Sequence, residues 1–331
     1  LDGRLSLGVE KGHVELPDGP LLVIGADMNS DLAAFDRENT RLMARYRDVH
    51  DAMKAAGWAS DPAPEGPFAG AVVFAPRSRE AQRAALRTAR ERTAGPVIVD
   101  GPKTHGIDAL YRELRGRAEV SSAWAKAHGK LFTVTGGDFS DWPAEAPAQA
   151  ADGWWRAPGV FSEGRIDRAS AHLAELLPAA LPGSVADLGA GWGYLSGAIL
   201  AREGVETVHL VENDRVALEA ARRNLDDGRA VFHWADATRW SAPALLDHVV
   251  TNPPFHAERK AEPELGRAFI RAAAAMLKPK GGLWLVANRH LPYEAALEGT
   301  FRELHEVGGD PGFKVIHATR PRAGHRTGKT R

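Results

Sequence analysis

The apolar pair Val249-Val250 runs into Asn252-Pro253-Pro254-Phe255, which places a carboxamide, two stiff prolines and an aromatic ring at the end of a strand. Proline at 253 drives Asn252 into extended backbone, and Pro254 fixes its own φ, so the Asn252 side chain has little freedom. An exocyclic amine on a nucleobase is a poor nucleophile because its lone pair is shared with the ring. Two acceptors, the Asn252 side-chain oxygen and the Pro253 carbonyl, can hold its hydrogens while the lone pair turns outward, and acceptors oriented in advance are what electrostatic catalysis needs. Phe255 is then placed to stack on a base drawn out from its neighbours. The chemistry this suits is transfer of a methyl group to a planar NH2 without a strong base. The competing reading is a rigid turn with Phe255 in the core, and a four-residue motif does not choose between the two.

Upstream, Val185-Ala186-Asp187-Leu188 reads as a buried strand leading into Gly189-Ala190-Gly191-Trp192-Gly193 and a helix from Tyr194 to near Arg202. Such a loop lets a ligand approach the backbone closely and offers free helix N–H groups to an anionic part of it. A dinucleotide fingerprint wants a third glycine at 194, where Tyr194 stands, so a pyrophosphate cofactor is disfavoured. The run Val208-His209-Leu210-Val211 ends at Glu212, whose carboxylate can accept both hydroxyls of a ribose, and Asp214 is the expected N-cap of a helix Arg215 to Asn224. The run from Ala230 to Trp234 ends near Asp236, a candidate acceptor for an adenine amino group. Each of these acids is, by itself, an ordinary loop residue. Four polar signals following four strand-like runs in chain order fall together on the carboxyl edge of a parallel sheet, where ligands bind.

Through these residues the segment from about Pro158 to Arg320 resembles a class I S-adenosylmethionine-dependent methyltransferase, and in detail the ribosomal RNA small-subunit methyltransferase C family of guanine-N2 methyltransferases. The matching stretches are Pro158-Gly159-Val160-Phe161-Ser162 with Arg165-Ile166-Asp167, the Asp187 to Gly193 loop, Asn252 to His256, Phe269-Ile270, Gly281-Gly282, Leu285 to Asn288 with Leu291-Pro292-Tyr293, and Phe313-Lys314-Val315. The resemblance implies S-adenosylmethionine as cofactor, with Asp187, Gly189 and Gly191 at its methionine part, Gly193 a further cofactor-binding residue of the loop, Glu212 at its ribose and Asp236 at its adenine. Asn252 to Phe255 would hold the target base, and Phe161 and Ser162 would belong to a segment closing over the cofactor. It also implies two tandem Rossmann-like α/β domains, the first degenerate and the second a mostly parallel seven-stranded sheet. One departure is that family members commonly carry glycine soon after the histidine, where this chain continues Ala257-Glu258-Arg259-Lys260.

At 331 residues the chain has room for two cores, and the aperiodic stretch from Gly136 to Gly153 reads as their join, giving domains over 1–150 and 151–331. In the first, the runs Leu21 to Ile24, Ala71 to Phe74, Pro96 to Val99 and Leu131 to Val134 alternate with helical patterns, a second α/β layer. Ile24 is followed by no glycine-rich loop and Phe74 by no acceptor side chain, so this half reads as the fold without the chemistry. Gly101-Pro102-Lys103-Thr104-His105-Gly106-Ile107-Asp108 matches a recurring stretch of the family's degenerate domain. Arg79, Arg83, Arg87 and Arg90 share one helical face, either a stripe tracking a phosphate backbone or a solvated face. The basic tail from Arg320 to Arg331 is a second candidate phosphate contact.

A net charge of −1 means that RNA affinity must come from local patches. With no cysteine, disulfides, zinc fingers and a thiolate nucleophile are excluded, so the target atom is nitrogen and not a ring carbon. The thirteen histidines show no metal-ligand spacing, so no metal is expected, and His256, next to the base platform, is the histidine best placed to touch substrate. No apolar run of spanning length or signal peptide is seen, which predicts a cytoplasmic location; the resemblance implies ribosomal RNA or the small subunit as partner, and a monomer is expected. The opening Leu1, in place of methionine, points to residues preceding it. Methylation of adenine N6 or of a protein glutamine amide, and a non-catalytic ribosome-assembly factor of the same shape, stand as alternatives.

Overall fold

The computed structural model describes residues 3–162, 164–254, 256–257, 260–261 and 263–322. The chain divides into two compact units, Leu1–Ala148 with Ala157–Gly159, and Gln149–Arg156 with Val160–Arg331.

The first unit comprises α1 (Arg4–Glu10), β1 (Leu21–Ile24), β2 (Thr40–Met43), α2 (Arg47–Ala55), β3 (Ala59–Asp61), β4 (Gly70–Phe74), α3 (Arg79–Arg92), β5 (Val97–Pro102), α4 (Ile107–Leu114), β6 (Glu119–Val120), β7 (Trp124–Lys126) and β8 (Gly129–Thr135). Strands β1, β4 and β5 are almost wholly buried, as strands covered on both faces must be, which is why they read as continuous apolar runs. Helix α3 starts where the Ser78 side chain accepts from Ala81 N–H, and it carries Glu80 in its first turn and Arg90 and Arg92 in its last, complementing the helix dipole. Strands β2 and β3 lie beyond β1 toward one edge and escape the sequence reading because they are short and interrupted by polar residues.

The second unit follows β9 (Ala148–Gln149) and β10 (Trp155–Arg156) with α5 (Arg168–Leu176), β11 (Ala180–Leu188), α6 (Tyr194–Leu200), β12 (Glu203–Glu212), α7 (Arg215–Asn224), β13 (Ala230–Trp234), β14 (Leu246–Thr251), β15 (His256–Ala257), β16 (Lys260–Ala261), α8 (Pro263–Met276), β17 (Leu277–Asn288), α9 (Glu294–Thr300), β18 (Phe301–Gly309) and β19 (Phe313–Pro321). The spans expected for α7 and β13 are the observed ones. Strand β11 begins five residues before Val185, because Pro182 and Gly183 break its alternation and its register with β12 shifts there.

Both sheets follow one plan. The order is β3-β2-β1-β4-β5-β8-β6 in the first unit, with β7 also on β8, and β13-β12-β11-β14-β17-β19-β18 in the second. In each, five parallel strands are continued by an antiparallel strand, β8 or β19. Chain direction across the sheet reverses between β11 and β14, so a crevice opens at their carboxyl ends.

Alternation along the strands of the second unit supplies two core layers. Ala186, Val249, Leu283 and Leu285 pack with Phe269, Ile270 and Leu297 of α8 and α9. Val185, Leu210, Val250 and Val286 pack with Leu173, Leu195, Ile199 and Leu218 of α5, α6 and α7. Each of the valine, leucine, isoleucine and phenylalanine side chains contributes about 1.5–3 kcal/mol on burial, enough between them to offset the cost of the acid buried at the crevice.

Candidate active site

Strand β11 delivers Asp187 to the crevice with its side chain fully buried. Its Oδ2 accepts from Ser196 Oγ on α6 at 2.6 Å, while Oδ1 is buried without a partner among the described residues. Burial pushes this carboxyl up to about 7, against the Ser196 bond that favours its charge. In the turn after β11, Gly191 has φ of +56°, a left-handed conformation closed to most side chains, and a Cβ there would point into open space. The chain therefore keeps a backbone surface facing the crevice bare. Ala190 and Gly189 donate to the Val211 carbonyl, tying the turn to β12.

Glu212 ends β12. Its Oε2 accepts from Gly191 N–H at 2.7 Å and its Oε1 from Asp214 N–H at 2.8 Å, which restrains both carboxylate oxygens and leaves each with a further lone pair. Burial raises it to about 7 in spite of those two bonds, and the neighbouring Asp214 charge adds to the rise. Asp214 caps α7, accepting from Val216 N–H. Asp236, just past β13, accepts with Oδ1 from Thr238 N–H and Oγ1, and Oδ2 makes no hydrogen bond among the described residues.

At the end of β14, Thr251 Oγ1 donates to the Leu188 carbonyl at 2.7 Å, joining the two strand ends. Asn252 comes next. Its Nδ2 donates to Asp167 Oδ2 at 2.9 Å and to Ser170 Oγ at 2.8 Å, and a carboxylate can only accept, so the amide orientation is chemically determined. The Asn252 Oδ1 is buried and has no hydrogen-bond partner among the described residues. A buried unpaired carbonyl costs about 1–3 kcal/mol, a cost that a donor NH2 in the crevice removes. Pro253 is buried and its carbonyl accepts nothing from the described residues.

Asn252, Gly189, Gly191, Trp192, Asp167 and Phe161 line one narrow cleft of about 40 Å³. Phe161 is 62% exposed, Ser162 takes a left-handed φ of +55°, and Trp192 Nε1 donates to the Phe161 carbonyl at 3.2 Å. The structure thus brings Asn252, Phe161, Ser162, Gly189 and Gly191 together, and joins Glu212 to them through Gly191. Asp236 does not line the cleft. Phe255 lies outside the described residues, as does the side chain of His256. The sequence reading gives Asp167 and Ser170 no site role, although the cap that Asp167 makes to Ser170 N–H, 2.8 Å long, is a visible helix-start signal.

The arginine face of α3 is engaged within its own unit. Arg83 pairs with Glu113 and Glu80, and Arg79, 63% exposed, with Glu113. Arg87 pairs with Glu91 and donates to the Ser140 and Trp142 carbonyls, and Arg90 donates to those of Thr93 and Gly95. Arg320 pairs with Glu303, and the tail from 323 lies outside the described residues. Among the described residues no cluster of three or more metal-ligating side chains occurs and no helix is long and apolar enough to cross a membrane.

A parallel sheet with a glycine turn after one central strand, an acid after the next and Asn-Pro-Pro at the switch point defines a class I S-adenosylmethionine-dependent methyltransferase fold. The family model described as Methyltransferase small domain matches residues 154–317. Ribosomal RNA small subunit methyltransferase C of Pseudomonas aeruginosa (strain LESB58) is 31% identical over 275 residues, 78% of this chain and 81% of the relative. The protein of that description from Pseudomonas putida F1 is 28% identical over 328 residues, covering 93% and 97%. Among solved structures, the T. thermophilus 16S rRNA N2 G1207 methyltransferase (RsmC) in complex with AdoMet and guanosine shares the fold with a TM-score of 0.78 at 24% identity, over 93% of this chain and 90% of that one. The chain belongs to the ribosomal RNA small subunit methyltransferase C family.

Proposed function

We propose that the protein transfers a methyl group from S-adenosylmethionine to the exocyclic N2 of a guanine in 16S ribosomal RNA, acting in the cytoplasm on the RNA or the small subunit. The observation that carries this is the Asn252 carboxamide, its NH2 held on two acceptors and its oxygen left bare at the cleft. Three features of the turn beside it fit the cofactor: the orphaned Asp187 Oδ1, the open face at Gly191, and the Glu212 carboxylate braced by two backbone N–H groups.

S-adenosylmethionine, when bound, supplies an electrophilic methyl on a positively charged sulfur that departs as a neutral thioether. The chain's residues do the rest. Asp187 and the glycine turn would hold the methionine end and Glu212 would accept from the ribose hydroxyls, while Asp236, outside the cleft itself, is assigned through its Oδ2 to the adenine amine. Asn252 Oδ1 and the Pro253 carbonyl would accept hydrogen bonds from the two N2 hydrogens and so turn the nitrogen lone pair outward, with stacking on the base assigned to Phe255 and a substrate contact to His256. Most of the acceleration comes from proximity and orientation, and the surplus proton leaves to water once nitrogen has gained its fourth bond. Phe161 and Ser162 would cover the cofactor. We assign catalysis to 151–331 and RNA binding or stabilisation to 1–150, with Arg79, Arg83 and Arg87 counted as structural because carboxylates and carbonyls already occupy them.

The test is methylation of small subunits, and separately of naked 16S RNA, with a labelled donor followed by nucleoside mass analysis. N2-methylguanosine is the expected product. N6-methyladenosine, or label in a protein glutamine, would reassign the substrate.

A further inference from the structure

Resting on the reading of Asn252 as the acceptor for the target amine, we propose that Asp167 and Ser170, at the first turn of α5, form a clamp that sets the direction of the Asn252 carboxamide. They are positioning residues for the reaction. The amide group of an asparagine can present oxygen or nitrogen to a cleft with almost equal shape, and only the oxygen can receive a hydrogen of the target amine. Proline at 253 restrains the backbone of Asn252 but has no bearing on which end of the amide faces outward. That choice is made by Asp167 Oδ2, 2.9 Å from Nδ2, and by Ser170 Oγ, 2.8 Å away.

One oxygen serves two purposes here. Asp167 Oδ2 also accepts from Ser170 N–H at 2.8 Å, capping α5, so the atom that starts the helix orients the amide as well. Ser170 is buried, and α5 packs through Leu173 into the core layer that contains Val250. The clamp is therefore anchored to the strand that carries Asn252. Phe161 and Ser162 stand a few residues before Asp167 and line the same cleft. The segment we assign to the cofactor thus leads directly into the cap that orients the substrate acceptor.

The substitutions that test this separate capping from orientation. Serine caps a helix about as well as aspartate but is too short to reach Asn252, whereas asparagine keeps an oxygen where Oδ2 sits. Asp167→Ser combined with Ser170→Ala is expected to lower kcat about 10- to 100-fold, below the effect of deleting an oriented electrostatic group outright. The dissociation constant for S-adenosylmethionine should stay within about twofold, since neither residue is assigned to the donor. Asp167→Asn should retain kcat within about fivefold, one neutral hydrogen bond replacing a charge-assisted one. The second readout is independent of catalysis. The Asn252 side-chain NH2 resonances, assigned by their loss in Asn252→Ala, should exchange slowly with solvent in the wild type and quickly in the double variant.

Wild-type kcat in a folded double variant, or rapidly exchanging Asn252 amide protons in the wild type, would overturn the clamp. Failure of the wild type to methylate any RNA would sink the functional reading instead, and the amide spectrum would then decide the clamp by itself.

Discussion

The Asn252 carboxamide departs from the usual rule that buried polar atoms find partners, and the departure is one-sided, with nitrogen doubly bonded and oxygen bare. Asn252→Ala is expected to cut kcat about 10²- to 10³-fold, the scale of losing one preorganised electrostatic group, while donor affinity by calorimetry changes less than about twofold. A parallel loss of both would make the residue structural. Two acids beside it are held near 7 by burial. The fold favours their neutral forms, so the stability they contribute is present in acid and declines as pH rises from about 4 through about 7. The melting temperature of the ligand-free protein should accordingly fall across that window, and Asp187→Asn should flatten the fall. Donor binding runs the other way, because ionised Glu212 is the better acceptor for ribose hydroxyls: affinity should rise through pH 7, and Glu212→Gln should reduce the slope. An affinity independent of pH in the wild type would remove Glu212 from the ribose site.

At the scale of elements, the crevice is built from the turns at the carboxyl ends of the strands. Gly191→Ala forces a left-handed conformation on alanine and points a methyl at the cleft. A stability loss of about 1 kcal/mol is expected, with a weakening of donor affinity larger than that strain alone explains. Equal effects on folding and on binding would place the methyl away from the ligand. The first unit has the same turns without the opening. Gly25, after β1, also has a positive φ, but a Cβ there would strike the Phe74 carbonyl of β4. Its turn is closed by the neighbouring strand. Ala75 takes the place after β4 that Asn252 takes after β14, and it is held by its N–H on the Asp100 carbonyl and by His105 Nδ1 at its own carbonyl. The Asp100 side chain, at the edge where a ligand would sit, is paired with Arg4. The same scaffold has been filled in with internal partners.

For the whole molecule, this asymmetry predicts that only one unit responds to the donor. At a concentration of one hundred times Kd the ligand should add about 2.7 kcal/mol of stability. In hydrogen exchange the added protection should appear in β11, β12 and β14 and not in β1, β4 and β5. Protection spread equally over both sheets would contradict the assignment of a single donor site. With a net charge of −1, RNA binding depends on local contacts and should weaken with salt.

The sequence by itself determined the alternation that makes both sheets, the glycine turn, the acid ending β12 and the stiff Asn-Pro-Pro segment. Strand and turn signals are local, set by φ preferences and by apolar periods of a few residues. It also placed four polar groups on one sheet edge, since parallel strands joined by helices must end on the same side. The first half was legible as the same fold without the chemistry, but the detailed parallel between the halves, strand by strand, appears only in the shared strand order, because packing repeats where side-chain identities do not. Likewise the arginine stripe of α3 had the right spacing for phosphates, and only the fold revealed Glu113, Glu91 and the loop carbonyls waiting for it. The direction of the Asn252 amide was beyond the sequence for the same physical reason. Asp167 and Ser170 lie more than eighty residues away along the chain, and a hydrogen bond between such distant positions exists only once the sheet and α5 have packed.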